Sequence, residues 1–379
     1  MANLSPISGI TAGAAALWIA GVRLRARLYE SGLLRRRKLR SRVVSIGNLC
    51  WGGSGKTPFA IWLAGRLQEE GLNVSILTRG YGRTSRERVR VLAPGTTPDS
   101  ARAEGDEVQI FLRHLNLPIG ISSSRYDAGS ALEKSYPVNV HLLDDGFQHL
   151  ALERDLDLVL IDASNPWGAR PGWPLLLREG FSSLRRAQAV LLTRCELAEP
   201  SGGGSGKANI EKLKTAIASY NPGAQIFTMR TRLRHFTNYE DGTPVPAQEF
   251  LSRRPFAFCA VGSPRSFLRM LERAGIAAAG KKVYPDHYRY SAKDLDLLAR
   301  LAKESHADCF VTTEKDIVNL PAAAAIPLPL YWAAIEPVVE NEDRLIRWIL
   351  ETLNLPIGRR KTISETATDI NQPHLAGAG

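Results

Sequence analysis

With 379 residues, 44% hydrophobic and 23% charged, the chain has an ordinary globular composition and room for two domains with large cores. Its four cysteines, Cys50, Cys195, Cys259 and Cys309, are far apart, with no Cys-x-x-Cys and no paired histidine spacing; this argues against a zinc site or a disulfide scaffold and for reduced cytosolic thiols. The net charge of +11 is concentrated, because nine Lys and Arg from Arg23 to Arg42 face Glu30 alone, a pattern that suits an anionic surface, membrane or nucleic acid, and equally a solvated helix face.

Residues 7–22 are apolar and small, a run of sixteen against the roughly twenty needed to span a bilayer. No Lys or Arg precedes them, which argues against a secretory signal. Leu17, Leu24 and Leu28 recur at helical spacing with arginines between them. This predicts a membrane-associated amphipathic helix within residues 1–35, its arginines on headgroups, with a helix packed on the protein's own core as the alternative. The segment lacks interleaved aromatics, so no nucleic-acid partner is expected.

From Val43 to Asn48 an apolar run enters Gly52-Gly53-Ser54-Gly55-Lys56-Thr57, and a helical pattern follows to about Glu70. This reads as strand, phosphate loop, helix. The glycines let backbone N–H groups converge on an anion, Lys56 would reach the β- and γ-phosphates of ATP, and the Thr57 hydroxyl would hold Mg²⁺. The usual pattern has Gly where Cys50 stands, so the loop is a compressed form; a glycine-rich turn that binds nothing is the plain alternative.

The strand Asn73–Leu77 completes a βαβ unit and predicts a mostly parallel sheet. Arg79-Gly80-Tyr81-Gly82-Arg83 stands at its carboxyl end, where such sheets bind ligands. Glu104-Gly105-Asp106-Glu107 opens the next helix, as chemistry or as simple capping. A strand at Pro118–Ile121 ends in Ser122-Ser123-Ser124-Arg125. Val140–Leu143 runs into Asp144-Asp145-Gly146-Phe147-Gln148-His149, an apolar strand ending in the paired carboxylates that a Mg²⁺ opposite Thr57 requires; a plain Asp-Gly turn is the other reading.

Further strands fall at Asp157–Asp162 and Ala189–Arg194, separated by an irregular stretch from Asn165 to Glu179. Ser201–Lys207 imitates a phosphate loop but has no Ser or Thr after Lys207 and no strand before it, and is read as a flexible surface loop. Arg230, Arg232, Arg234 and His235 suggest an exposed strand linking two domains. A second α/β unit follows, with strands Pro255–Val261 and Asp308–Thr313 and helices Arg265–Ala274 and Ala292–Glu304. His287 lies in a loop between them and has a bland reading as a surface histidine. Leu328–Ala334 reads as a returning strand, Glu342–Leu353 as a closing helix. The expected division is an α/β phosphate-loop domain at 36–230, a smaller α/β domain at 231–355 that includes the closing helix, and a disordered tail at 356–379.

Taken together, the Gly52–Thr57 loop, Arg79-Gly80-Tyr81-Gly82-Arg83, Gly105-Asp106-Glu107, Asp144-Asp145-Gly146-Phe147-Gln148-His149, Asp286-His287 and Thr312-Thr313-Glu314-Lys315-Asp316 resemble the tetraacyldisaccharide 4′-kinase family. The resemblance implies a two-domain kinase held peripherally on the cytoplasmic face of the inner membrane. It would move the γ-phosphate of ATP to the 4′-hydroxyl of an acylated glucosamine disaccharide 1-phosphate. Asp106 would be the catalytic base, supported by His287. Lys56, the loop amides, and Mg²⁺ on Thr57 with Asp144 or Asp145 would hold the phosphate. Arg79 and Tyr81 would contact nucleotide; Arg125, Gln148, His149, Arg178 and Glu179 would contact substrate. Two alternatives stay open: a membrane-associated switch ATPase of the Gly-Gly-x-Gly-Lys-Thr class, whose members carry Lys where this chain has Trp51, and a nucleic-acid binder using the basic segment.

Overall fold

The computed structural model describes residues 18, 20–168, 177–198, 206–321 and 326–357. Helix α1 covers residues 20–30. Strand β1 (Arg42–Asn48) is buried along nearly its whole length, as are β2 (Val74–Thr78), β4 (Ile119–Ile121), β5 (Val140–Asp144), β6 (Leu156–Asp162) and β7 (Ala189–Thr193). Continuous burial is what parallel strands covered on both faces require. They pair in the order β4-β2-β5-β1-β6-β7, all parallel, and short β3 (Arg90–Leu92) closes the edge antiparallel to β4. Helices α2 (Lys56–Glu69), α3 (Asp106–His114) and α4 (Arg125–Ser135) connect them.

The linking strands are real. β8 (Gln225–Asn238) pairs parallel with β7 through Thr228, then runs on antiparallel to β13 (Leu330–Val339). Arg230, Arg232 and Arg234 are its exposed positions, since this ribbon between the two halves has one open face. β13 then leads into the second parallel set, β12 (Cys309–Thr313), β10 (Pro255–Cys259) and β11 (Gly280–Val283), with β9 (Pro244–Val245) at the side of β8. Helices α6 (Pro264–Arg273), α7 (Ala292–Glu304) and the short α8 (Glu314–Ile317) complete that half.

Two expectations need correction. The closing helix α9 (Glu342–Thr352) does not join the second half: Leu345, Ile346, Ile349 and Leu350 pack with Phe59, Leu63 and Phe227 in the first core. The reason is topological, because β13 carries the chain back before α9 begins. Gly206 and Lys207 are not loop but the first turn of α5 (Gly206–Tyr220), which buries Leu213 and Ile217. The polar cluster that follows β4, as expected from the sequence, also opens a helix: Ser124 Oγ accepts the Asp127 N–H and caps α4. The apolar run before residue 18, residues 169–176 of the expected irregular loop, residues 201–205 of the expected glycine-serine loop, and the tail after residue 357 lie outside the described residues. No helix among the described residues is long and apolar enough to cross a membrane.

At the amino end of the sheet, His141 is fully buried, with Nδ1 2.6 Å from Ser75 Oγ and Nε2 3.4 Å from Glu133 Oε1. Burial holds its pKa below the ordinary histidine value, against the pull of Glu133. The folded chain therefore binds this proton less readily than the unfolded chain. Stability is full above the ordinary histidine value and falls as pH drops from there towards the lower folded value, by at most about 1.4 kcal/mol per pH unit. Urea midpoints at pH 7.5 and 5.0 test this: His141→Gln is expected to flatten the dependence, and an unchanged slope would exclude His141 as its source.

Candidate active site

The carboxyl ends of both parallel sets open on one cavity of about 1280 Å³. Asn48, the last residue of β1, is buried and donates from Nδ2 to Ser54 Oγ at 3.0 Å, pinning the turn that follows. Gly52 and Gly55 take φ of 116° and 85°, which only glycine adopts without strain. Thr193 Oγ1 donates to Ser54 O at 2.9 Å, and Arg194, paired with Asp162, donates to Gly53 O at 2.6 Å. The glycine-rich turn is thus held from the ends of β6 and β7. Lys56 and Thr57 open α2 on the cavity wall.

Across the wall stands the end of β5. Asp145 accepts two contacts from Arg178 Nη1 at 2.5 and 2.6 Å and lies 3.4 Å from Lys56 Nζ. Burial opposes its ionisation, but Lys56 and Arg178 outweigh this and hold its pKa at about 2. Asp144 is pushed the other way, by burial first and then by Asp145. Its Oδ2 faces Thr78 Oγ1 at 3.5 Å, while its buried Oδ1 makes no hydrogen bond among the described residues. Next comes Phe147, fully buried against β1: a Cβ on Gly47 would sit 2.4 Å from Phe147 Cβ. That contact fixes the turn that presents Gln148 and His149. Gln148 donates to Asn48 O at 3.0 Å. Burial and the nearby arginines hold His149 at about 4, so it is neutral.

Arg178 also stacks over Trp51, 4.7 Å from the ring centre, which gives this bulky residue in the turn a use. Glu179 is buried and accepts from Arg186 at 2.7 Å. Arg125, at the start of α4, has its guanidinium 3.2 Å from Ser123 O and is held below its ordinary pKa by burial, against the pull of Asp144 and Asp145. Cys50 is no nucleophile, because burial pushes its thiol to about 11.

The remaining pair joins the two halves. Asp106 opens α3 behind Gly105 and Tyr81; a Cβ on Gly105 would lie 2.4 Å from Tyr81 O. His287, in a left-handed conformation with φ 59°, brings Nδ1 within 2.8 Å of Asp106 Oδ2 and its ring within 4.6 Å of the Tyr81 ring centre. Burial works against both charges. For Asp106 the His287 hydrogen bond and the Lys315 charge win, and its pKa falls below the usual carboxylate value. For His287 the Asp106 hydrogen bond wins, and its pKa rises.

Every residue given a catalytic, nucleotide, substrate or metal role from the sequence lines this cavity except Asp106, which is 7% exposed just behind it, between wall residues Glu107 and His287. Four groups were given no site role from the sequence. Gly262 packs on the glycine-rich turn, Arg194 bonds it, and Lys315 and Asn319 reach the Asp106–His287 pair. Lys315 stood in the Thr312–Asp316 string without a role of its own, and Asn319, just past the end of α8, carried no signal. Nothing in the sequence marks Gly262.

The LpxK family model, described as tetraacyldisaccharide-1-P 4′-kinase, matches residues 9–354. The chain belongs to this family. It is 36% identical over 313 residues to the tetraacyldisaccharide 4′-kinase of Syntrophobacter fumaroxidans, covering 80% of each chain. Over 351 residues it is 32% identical to that of Koribacter versatilis, covering 89% of this chain and 97% of the other. LpxK from Aquifex aeolicus, solved in complex with ATP, superposes with a TM-score of 0.67 at 26% identity over 92% of this chain and 99% of that one. Membership in the kinase family disfavours the switch-ATPase alternative.

Proposed function

We propose that the chain transfers the γ-phosphate of ATP to the 4′-hydroxyl of tetraacyldisaccharide 1-phosphate, as its relatives' name describes. The observation that carries this reading is the Asp106–His287 pair, 2.8 Å apart, at the same cavity as Lys56 and the glycine-rich turn. The turn and Lys56 serve as a compressed phosphate loop, with Arg79 and Tyr81 beside it. Leu197, Phe267 and Met270 add an apolar stretch of wall suited to the base. Asp106 is ionised at neutral pH and takes the hydroxyl proton as the sugar oxygen attacks the γ-phosphorus; the bond to ADP breaks and ADP leaves with its electron pair. Lys56 neutralises charge on the transferring group, and Arg125 and Arg178 face the anionic substrate. Gln148, His149 and Glu179 line the acceptor's side.

The residues present fit a Mg²⁺ ion. Asp144 Oδ1 is a buried carboxylate oxygen without a hydrogen-bond donor among the described residues, and its repulsion with Asp145 is what a cation would relieve. Thr57 and Asp144 are the better ligands, since Asp145 is taken up by Arg178 and Lys56. No cluster of three His, Cys, Asp or Glu poised for a metal occurs among the described residues. That suits Mg²⁺, which keeps waters and binds through one or two protein groups plus phosphate oxygens. When bound, it would neutralise phosphate charge.

The amino-terminal helix supports attachment to the inner membrane's cytoplasmic face. Trp18 and Leu24 are more than half exposed beside Arg23, Arg25 and Arg27, an apolar and cationic surface matched to headgroups. Incubation with γ-labelled ATP and the acylated disaccharide in detergent is expected to put label on lipid, and removal of residues 1–30 to reduce co-sedimentation with anionic vesicles. Label released only as free phosphate would refute the kinase, and unchanged sedimentation the anchor.

A further inference from the structure

Lys315 Nζ lies 3.0 Å from His287 Nε2 and 3.0 Å from Asp286 Oδ1. An ammonium group has protons to give and no lone pair to accept one. It must therefore donate to Nε2, and Nε2 must be the unprotonated nitrogen. The proton of the neutral ring then sits on Nδ1, where it points at Asp106 Oδ2.

The lysine is held in place by its surroundings. Thr313 and Asp316 cap the short helix α8 reciprocally. Asp316, 1% exposed, also accepts from the Ala260 N–H at 2.7 Å and the Tyr290 hydroxyl at 2.8 Å, tying α8 to β10 and to the end of the His287 loop. Asn319 Nδ2 bonds Lys315 O at 3.0 Å and reaches Asp106 Oδ2 at 3.4 Å. The remaining Asp106 oxygen accepts the Glu107 N–H at 2.9 Å.

We propose that Lys315 is a positioning residue for phosphate transfer: its ammonium group fixes the tautomer of His287 and opposes protonation of the ring, so that Asp106 meets the acceptor hydroxyl as a carboxylate and not as half of a closed ion pair. This rests on the reading of Asp106 as the base. The groups that face His287 are Asp106 from α3, Lys315 from α8, Asp286 from its own loop and the Tyr81 ring from the loop after β2. The two carboxylates favour imidazolium, while burial and Lys315 oppose it. As pH falls, the pair gains a proton and Asp106 becomes a weaker base, so kcat has an acid limb. Removing the Lys315 charge leaves the carboxylates less opposed.

The test is the pH profile of kcat for the full chain with ATP and lipid. Lys315→Met is expected to move the acid limb up by about one pH unit, with kcat recovering to within about threefold of wild type on the alkaline side and both KM values unchanged. Lys315→Arg, which keeps charge and donors, is expected to keep the wild-type limb. A Lys315→Met profile lowered equally at every pH would mark a structural role, a higher KM for lipid with an unmoved limb would mark substrate binding, and a limb displaced in Lys315→Arg would deny the role of charge; each overturns the proposal. The ¹⁵N shifts of the His287 ring in the unmodified protein give a second test, independent of whether Asp106 is the base. An Nδ1–H, Nε2-acceptor ring is expected, and an Nε2–H ring overturns the assignment.

Discussion

Asp106→Asn is expected to lower kcat for phosphate transfer by about 10²–10⁴-fold, the usual share of a positioned general base, while leaving the KM for ATP within about threefold of wild type. The amide keeps the shape of the carboxylate and its fit beside His287, Asn319 and the Glu107 N–H. What it loses is the negative charge and the ability to take a proton. Asp106 contacts neither the glycine-rich turn nor Lys56 directly, so nucleotide affinity is not expected to follow. Circular dichroism and an ATP-analogue titration check that the variant is folded and loaded. Transfer at the wild-type rate in such a preparation would remove Asp106 from the chemistry.

Gly262→Ala is expected to weaken ATP binding although residue 262 carries no functional side chain. A Cβ there would lie 2.2 Å from Gly53 N and 2.9 Å from Gly52 C and Cα, all backbone atoms that cannot swing aside. Either the turn after β1 shifts, or β10 and α6 draw back. Overpacking of this kind costs about 1–3 kcal/mol, which is about 5- to 150-fold in affinity. Calorimetric titration with a non-hydrolysable ATP analogue reads the loss. Ser263→Ala is the control, because among the described residues the Ser263 hydroxyl bonds that of Ser266, at 2.7 Å, and not the glycine-rich turn, and little change is expected. An unaltered dissociation constant for Gly262→Ala would mean that the contact opens when nucleotide binds.

Local patterns carried most of the architecture. Buried strands of β-branched residues and leucine announced a parallel sheet, and the α7 pattern from Ala292 to Glu304 matches the helix observed, whose start Ser291 and Asp294 close with a capping box. The helix α5 was missed because its first turn, Gly206-Lys207, continues a glycine-serine run. The home of α9 could not be read locally, since an amphipathic helix shows that it has an apolar face without showing which core will take it.

The same division runs through the site. The chemical parts were readable from short-range pattern alone: a Lys-Thr pair after glycines, paired aspartates at a strand end and an acidic helix start. Tertiary structure decided which parts meet. Asp106 and His287 are 181 positions apart, and Lys315 and Gly262 come to the site from the second half. Their approach depends on how β8 and β13 fold that half back over the strand ends, and no periodicity or turn signal encodes the distance between groups so far apart along a chain.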